Sequence, residues 1–266
     1  MSELVFVGLG LYDEKDLSLR ALEEIKTAAK VFAELYTSLM PAMNIPRLEK
    51  IIGKKVIVVS RKTLEEEGGH QILQEAKKAK VAFLVPGDPM IATTHVDLRI
   101  RANKMSVRTR IVYGASIVSA VIGLTGLQNY KFGRSVTVPF AEDGVKTDTP
   151  YNVIMENKKR GLHTLCFLDI KAEEKRDMTV KDGLTVLLAI EKKKRKNIVT
   201  PDTLAIGVAR AGAPDYHVRA DYVKNMIHHD FGQPPHTLIF PGELHFMEAE
   251  ALVTLAGAPK KILEMV

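Results

Sequence analysis

Short apolar runs alternate with stretches of helical periodicity along most of the chain. Leu4 to Val7 reads as a strand, and Leu22, Ile25 and Ala29 then recur at helical spacing behind Asp16 and Ser18, either of which can cap a helix. Val31 to Leu35 and Val56 to Val59 read as strands around a helix through Ile45, Leu48, Ile51 and Ile52 that Gly53 can stop. A helix over Ile72 to Ala79 and a strand over Val81 to Val85 follow. His95, Leu98, Ala102 and Met105 share a helix face, a strand spans Ile111 to Tyr113, and an apolar helix spans Ile117 to Leu124. Further on, Ser135 to Val138 reads as a strand and Ala141 to Thr149 as a polar loop. Pro150 opens a helix through Lys159. Strands over Thr164 to Ile170, Leu204 to Ala209, the neighbourhood of Val218 and Thr237 to Phe240 join helices over Val180 to Lys192 and His245 to Leu255.

This rhythm implies an α/β protein. Apolar runs without strict alternation fit strands buried on both faces, so the first half should build a largely parallel sheet covered by helices. The stretch from Thr125 to Gly133 is richer in glycine and polar residues, and a domain junction is expected there, giving domains over 1–130 and 131–266.

Ligands in open α/β sheets bind beyond the carboxyl ends of the strands. Four loops fall at such ends. Gly8-Leu9-Gly10-Leu11 follows the first strand, Pro86-Gly87-Asp88-Pro89 the fourth, Gly114-Ala115-Ser116 the fifth, and Ala209-Arg210-Ala211-Gly212 closes a strand of the second half. The first loop departs from the dinucleotide fingerprint, because the position of the third glycine, counted on from Gly10, holds Asp13. Two prolines stiffen the second loop around one carboxylate, Asp88. The first three loops carry no Lys or Arg, and no GxxxxGK[ST] occurs, which argues against a triphosphate. A ligand built of a sugar, an adenine and an amino acid suits hydroxyls, one carboxylate and backbone better.

Composition adds bounds. The 266 residues suffice for two modest cores. One cysteine, Cys166, permits no intramolecular disulfide and no thiolate zinc site. No run is long and apolar enough to suggest a membrane span, and Met1-Ser2-Glu3 leads straight into a strand, so the expectation is a soluble, cytoplasmic protein without a secretory signal. The formal net charge is +6, and much of it lies in Lys192 to Lys196. That run is either a contact for RNA or an acidic protein, or the solvated end of a helix.

Taken together, FVGLGLYD, VPGDPMIATTH, YGASI, GLHTLCFLDIK, ARAG and PPHTLIFPGELHFMEAE resemble the diphthine synthase family, in order and over essentially the whole chain. That family lies within the tetrapyrrole-methylase-like group, whose start usually reads GxGxGDxxxLT; here Tyr12 replaces the third glycine and Ser18 the threonine. The resemblance implies two α/β domains, the second with a mixed sheet, and a methyl-donor cleft between them. It implies S-adenosyl-L-methionine as donor, S-adenosyl-L-homocysteine as product and no metal. Leu11, Asp88, Ile91, Ser116, Ile117, Leu168, Ala211 and His236 should contact the donor. It further implies repeated methylation of the amino group on the aminocarboxypropyl-modified histidine of translation elongation factor 2, a homodimer, and no direct nucleic-acid binding.

The donor is already activated, so alignment is the main task and no general base is assigned. His95, Asp169 and His236 have suitable chemistry, but His95 also suits a core position and Asp169 a turn. The adjacent His228 and His229 would not share a helix face and do not read as a metal site. Two rival readings stay open: a methylase of the same fold acting on a tetrapyrrole or RNA, and a non-enzymatic adapter.

Overall fold

The computed structural model describes residues 2–141, 147–171 and 174–265. These form two compact units, 1–117 and 118–266.

The first unit carries β1 (Glu3–Gly8), α1 (Leu19–Thr27), β2 (Lys30–Glu34), α2 (Ile45–Ile52), β3 (Val56–Val59), α3 (Arg61–Glu65), α4 (His70–Lys78), β4 (Lys80–Val85), α5 (His95–Lys104) and β5 (Arg108–Val112). Its sheet is wholly parallel, in the order β3-β2-β4-β1-β5. The absence of alternation in β1 has a direct cause. Leu4 and Phe6 enter one apolar cluster with Phe32, Phe83 and Leu98, while Val5 and Val7 enter another with Ala21, Ile25, Ala82 and Leu84. The strand is therefore covered on both faces. Ser18 Oγ caps α1 by accepting from Ala21 N, and Gly53, at φ 70°, ends α2.

Three local features differ from the pattern reading. β5 begins at Arg108, ahead of the expected Ile111, because this edge strand carries arginines that pair with carboxylates: Arg110 Nε lies 2.8 Å from Glu3 Oε1. The short α3 sits in a polar stretch without apolar periodicity, capped by Ser60. Asp16 does not cap α1; it ends a 3-10 turn over Glu14–Asp16.

The second unit contains nearly all of α6 (Ile117–Thr125), then β6 (Val136–Val138), α7 (Thr149–Lys158), β7 (Thr164–Leu168), β8 (Ile170–Lys171), β9 (Arg176–Asp177), α8 (Val180–Lys194), β10 (Leu204–Ala209), β11 (His217–Tyr222), α9 (Val223–Met226), β12 (His236–Phe240) and α10 (Phe246–Ala256). The sheet order is β11-β10-β12-β7-β6. Only β6 and β7 pair in parallel among these described strands, so the sheet is mixed, as expected. Its core gathers Val138, Tyr151, Cys166, Leu184, Leu187 and Leu238. The expected strand to Ile170 breaks at Asp169, and Ile170–Lys171 pairs instead with β9. Residues 142–146 of the expected polar loop lie outside the described residues.

Residues following α6 belong with the second unit by their bonds. Glu248 on α10 accepts from Gln128 N at 2.8 Å and from Lys131 Nζ at 2.6 Å. The compact units thus divide ahead of the 125–133 stretch.

Candidate functional site

The order β4-β1-β5 puts three strand ends side by side, and the loops that leave them meet. Gly10 and Gly87 form a bridge, with Gly87 N donating to Gly10 O at 2.7 Å. A Cβ on Gly114 would lie 2.3 Å from Gly87 O and 2.9 Å from Gly8 Cα. Three backbones approach here to a distance that no side chain at position 114 permits.

Asp88 ties this edge together. It is buried; its Oδ1 accepts from Met90 N at 2.9 Å and its Oδ2 from Gly114 N at 3.4 Å. The second bond is long, so that oxygen keeps capacity for another donor. Leu11 and Ile117 are half-buried, Ile91 is exposed and Ser116 is buried. Of the five first-unit residues expected at the donor, Leu11, Asp88, Ile91 and Ser116 lie on the loops after β1, β4 and β5, and Ile117 begins α6.

The GLGLYD loop is not an open anion nest. Asp16 Oδ2 accepts from both Leu11 N, at 2.8 Å, and Tyr12 N, at 2.7 Å. The chain's own carboxylate occupies the donors that a phosphate would need.

His95 lies beneath the second loop, only 2% exposed, edge-on to Phe83. Nδ1 is 3.2 Å from Pro89 O, and burial holds the ring's pKa below the usual histidine range. It is not placed to touch solvent, which removes it as a direct base.

In the second unit, Leu168 ends β7, Ala211 follows β10 and His236 begins β12. The register sets Ala209 opposite His236 and Phe167 opposite Thr237, so these three residues gather at one end of the inner strands. His236 Nε2 is 3.2 Å from Gln233 O, its Nδ1 accepts from Val180 N at 3.3 Å, and burial lowers its pKa. Arg210 fixes the approach to it. One guanidinium nitrogen donates to Phe231 O at 2.9 Å and Gln233 O at 2.7 Å, and another to Asp215 O at 2.9 Å.

Other candidates resolve into structural roles. Asp169 does not cap a local turn: its Oδ2 accepts from Phe140 N at 3.2 Å, tying the end of β7 to the chain after β6. Cys166 is wholly buried, and burial pushes its thiol pKa up. His228 and His229 follow α9 and are not helical; His229 Nε2 instead meets His217 Nε2 at 2.7 Å. Among the described residues, no group of three or more His, Cys, Asp or Glu is placed to hold a metal ion. No described helix is long and apolar enough to cross a membrane.

The model of the Tetrapyrrole (Corrin/Porphyrin) Methylases family matches residues 3–226. The chain is 48% identical over 261 residues to a diphthine synthase of Methanosarcina barkeri, covering 96% of this chain and 97% of that one. It is 47% identical over 266 residues to a diphthine synthase of Methanosarcina acetivorans, covering 98% of each. A crystal structure of diphthine synthase superposes with a TM-score of 0.91 at 41% identity, over 100% of both chains. The chain belongs to the tetrapyrrole methylase family, in its diphthine synthase branch. Pattern reading missed Asp16 and Arg210 as organisers of these loops. Asp16 had a readable signal, a carboxylate one turn beyond a glycine loop; Arg210 had none.

Proposed function

We infer that this protein is an S-adenosylmethionine-dependent methyltransferase of diphthamide biosynthesis. Its acceptor is the amino group on the aminocarboxypropyl-modified histidine of translation elongation factor 2, methylated repeatedly. The carrying observation is the meeting of Gly8, Gly87 and Gly114 around buried Asp88, in a chain that matches diphthine synthases from end to end.

The residues present suit such a donor. Asp88 offers a carboxylate with a free acceptor position, Leu11, Ile91 and Ile117 offer apolar surface, and the loops lack the cations a phosphate would need. When bound, S-adenosylmethionine supplies a methyl group activated on its sulfonium. Asp88 would accept a hydrogen bond from the donor and fix its orientation. Ser116 would add a hydroxyl, and Leu11, Ile91 and Ile117 would exclude water from the adenosine. Leu168, Ala211 and His236 would complete the contacts. Orientation of this kind accounts for several kcal/mol of barrier lowering, up to ~7–11 in ideal cases. A cytoplasmic homodimer without direct nucleic-acid binding completes the reading.

The test incubates the protein with labelled S-adenosylmethionine and elongation factor 2 bearing the aminocarboxypropyl arm, with tetrapyrrole and ribosomal RNA as controls. Label on the factor alone is expected. Measurable donor binding without label on the factor would sink the assignment. Asp88→Ala should raise the donor Kd by about tenfold or more, the loss of a charge-assisted hydrogen bond.

A further inference from the structure

His95 and Glu34 form a buried pair that the donor contacts do not include. Glu34 ends β2 and is fully buried. Its Oε2 accepts from Tyr36 N and Thr37 N, each at 3.0 Å, and its Oε1 from the Thr37 hydroxyl. Oε1 also lies 3.8 Å from His95 Nε2. That separation is beyond hydrogen-bond reach, and Nε2 has no hydrogen-bond partner among the described residues. On the other side of the ring, Nδ1 meets the Pro89 carbonyl, next to Asp88.

A carbonyl only accepts, so Nδ1 must carry a proton. We propose that His95 is a positioning residue for the donor loop, and that one proton shared between His95 and Glu34 keeps its Nδ1–H on the Pro89 carbonyl. With that proton on Glu34, the ring is neutral, Nε2 holds a lone pair and Nδ1–H remains. With it on Nε2, the ring is an imidazolium facing a carboxylate, and Nδ1–H again remains. Only when the shared proton leaves can the ring adopt the Nε2–H tautomer, which would turn a lone pair toward Pro89 and release the loop. Such a pair titrates as a unit. Burial acts on both members toward neutrality, raising the Glu34 pKa and lowering that of His95. The other charged or titratable groups acting here are Arg61, Glu65 and Tyr36, whose phenol burial and Glu34 push above its ordinary range.

The inference rests on the Asp88 loop being the donor loop, and the test separates the two. Donor Kd is measured by calorimetry for the wild type, Asp88→Ala, His95→Leu, His95→Asn and Glu34→Gln. His95→Leu should weaken binding about tenfold, one buried hydrogen bond. The amide nitrogen of His95→Asn takes the place of Nδ1 and should restore affinity to within about threefold. Wild-type affinity should fall as rising pH removes the shared proton, and Glu34→Gln, whose amide has no proton to lose, should flatten that fall. Nitrogen-15 histidine spectra, with His95→Asn for assignment, should show neutral His95 protonated on Nδ1. If Asp88→Ala leaves Kd unchanged, the donor-loop reading fails. If Asp88→Ala weakens binding but His95→Leu does not, or the spectra show the Nε2–H form, the positioning role is overturned; either folded His95 variant, Asn or Leu, assigns the wild-type spectra.

Discussion

Glu248→Gln should destabilise the second unit by about 3 kcal/mol at neutral pH, and the effect should shrink in acid. Glu248 is fully buried on α10. Burial raises its pKa, but the N–H groups of Gln128 and His245, the Lys131 ammonium and the His163 ring outweigh this and hold it at about 2. A change from the ordinary 4.5 to about 2 corresponds to about 3 kcal/mol of stability above pH 4.5. The folded value is depressed, so the contribution is complete above the unfolded pKa and disappears as pH falls through the folded one. By pH 3, about 2 kcal/mol of it should be gone. An amide at position 248 can still accept from Gln128 N and His163 Nε2, but its NH2 would then face the donors of Lys131 and His245.

Cys166 supplies the assay. It is the sole cysteine, it is wholly buried in the core of the same unit, and its thiol cannot react without opening. A destabilisation of about 3 kcal/mol should speed its labelling by a thiol reagent on the order of a hundredfold. Urea unfolding at pH 7 and pH 3 tests the acid behaviour, and the gap between wild type and variant should narrow by more than half. A labelling rate within about threefold of wild type, or a gap that stays constant in acid, would show that the network holds no such energy.

Three further outcomes are expected. Gly114→Ala places a Cβ 2.3 Å from Gly87 O, against backbone that cannot step aside; it should cost at least about 1–3 kcal/mol in the first unit and reduce donor affinity, read by thermal melting and calorimetry. Arg210→Lys loses the fork that holds the Phe231 and Gln233 carbonyls and should raise donor Kd about three- to tenfold while leaving the melting temperature nearly unchanged. Replacing exposed Lys192 and Lys193 with Gln should leave methyl transfer to the elongation factor within about twofold, because these cations end α8 and fit its dipole; a large loss would make them a docking contact.

The strands of the first sheet were legible because their residues report locally. A run such as Leu4 to Val7 is apolar on both faces, and burial on both faces is the sole condition it meets. Helix ends were legible for the same reason: Ser18 and Gly53 sit beside the turns they cap. β5 was half-hidden because its register is fixed by Arg110 reaching Glu3 and Glu24, more than eighty residues away in sequence. His95 could be read as core or as base, and only its contacts decide. Glu34 at the end of β2 and Pro89 in the loop after β4 flank it, so its surroundings depend on pairings that no periodicity encodes.

The first loop shows how one substitution can be read two ways. Tyr12 stands where the wider family pattern has a third glycine, which suggests a damaged cradle. A glycine would be required there if the backbone had a positive φ or met another chain segment closely. Neither condition holds at position 12. The positive φ falls at Gly10, at 88°, where a Cβ would strike Asp16, and Tyr12 is absent from the residues with left-handed backbone. Tyr12 N is held by Asp16 Oδ2 at 2.7 Å and its carbonyl accepts from Ala42 N at 3.1 Å, so the loop is closed by its own carboxylate and by the chain after β2. The loop therefore needs two glycines rather than three. Gly8 and Gly10 preserve the approach of the strand ends, and the side chain at position 12 is no part of it.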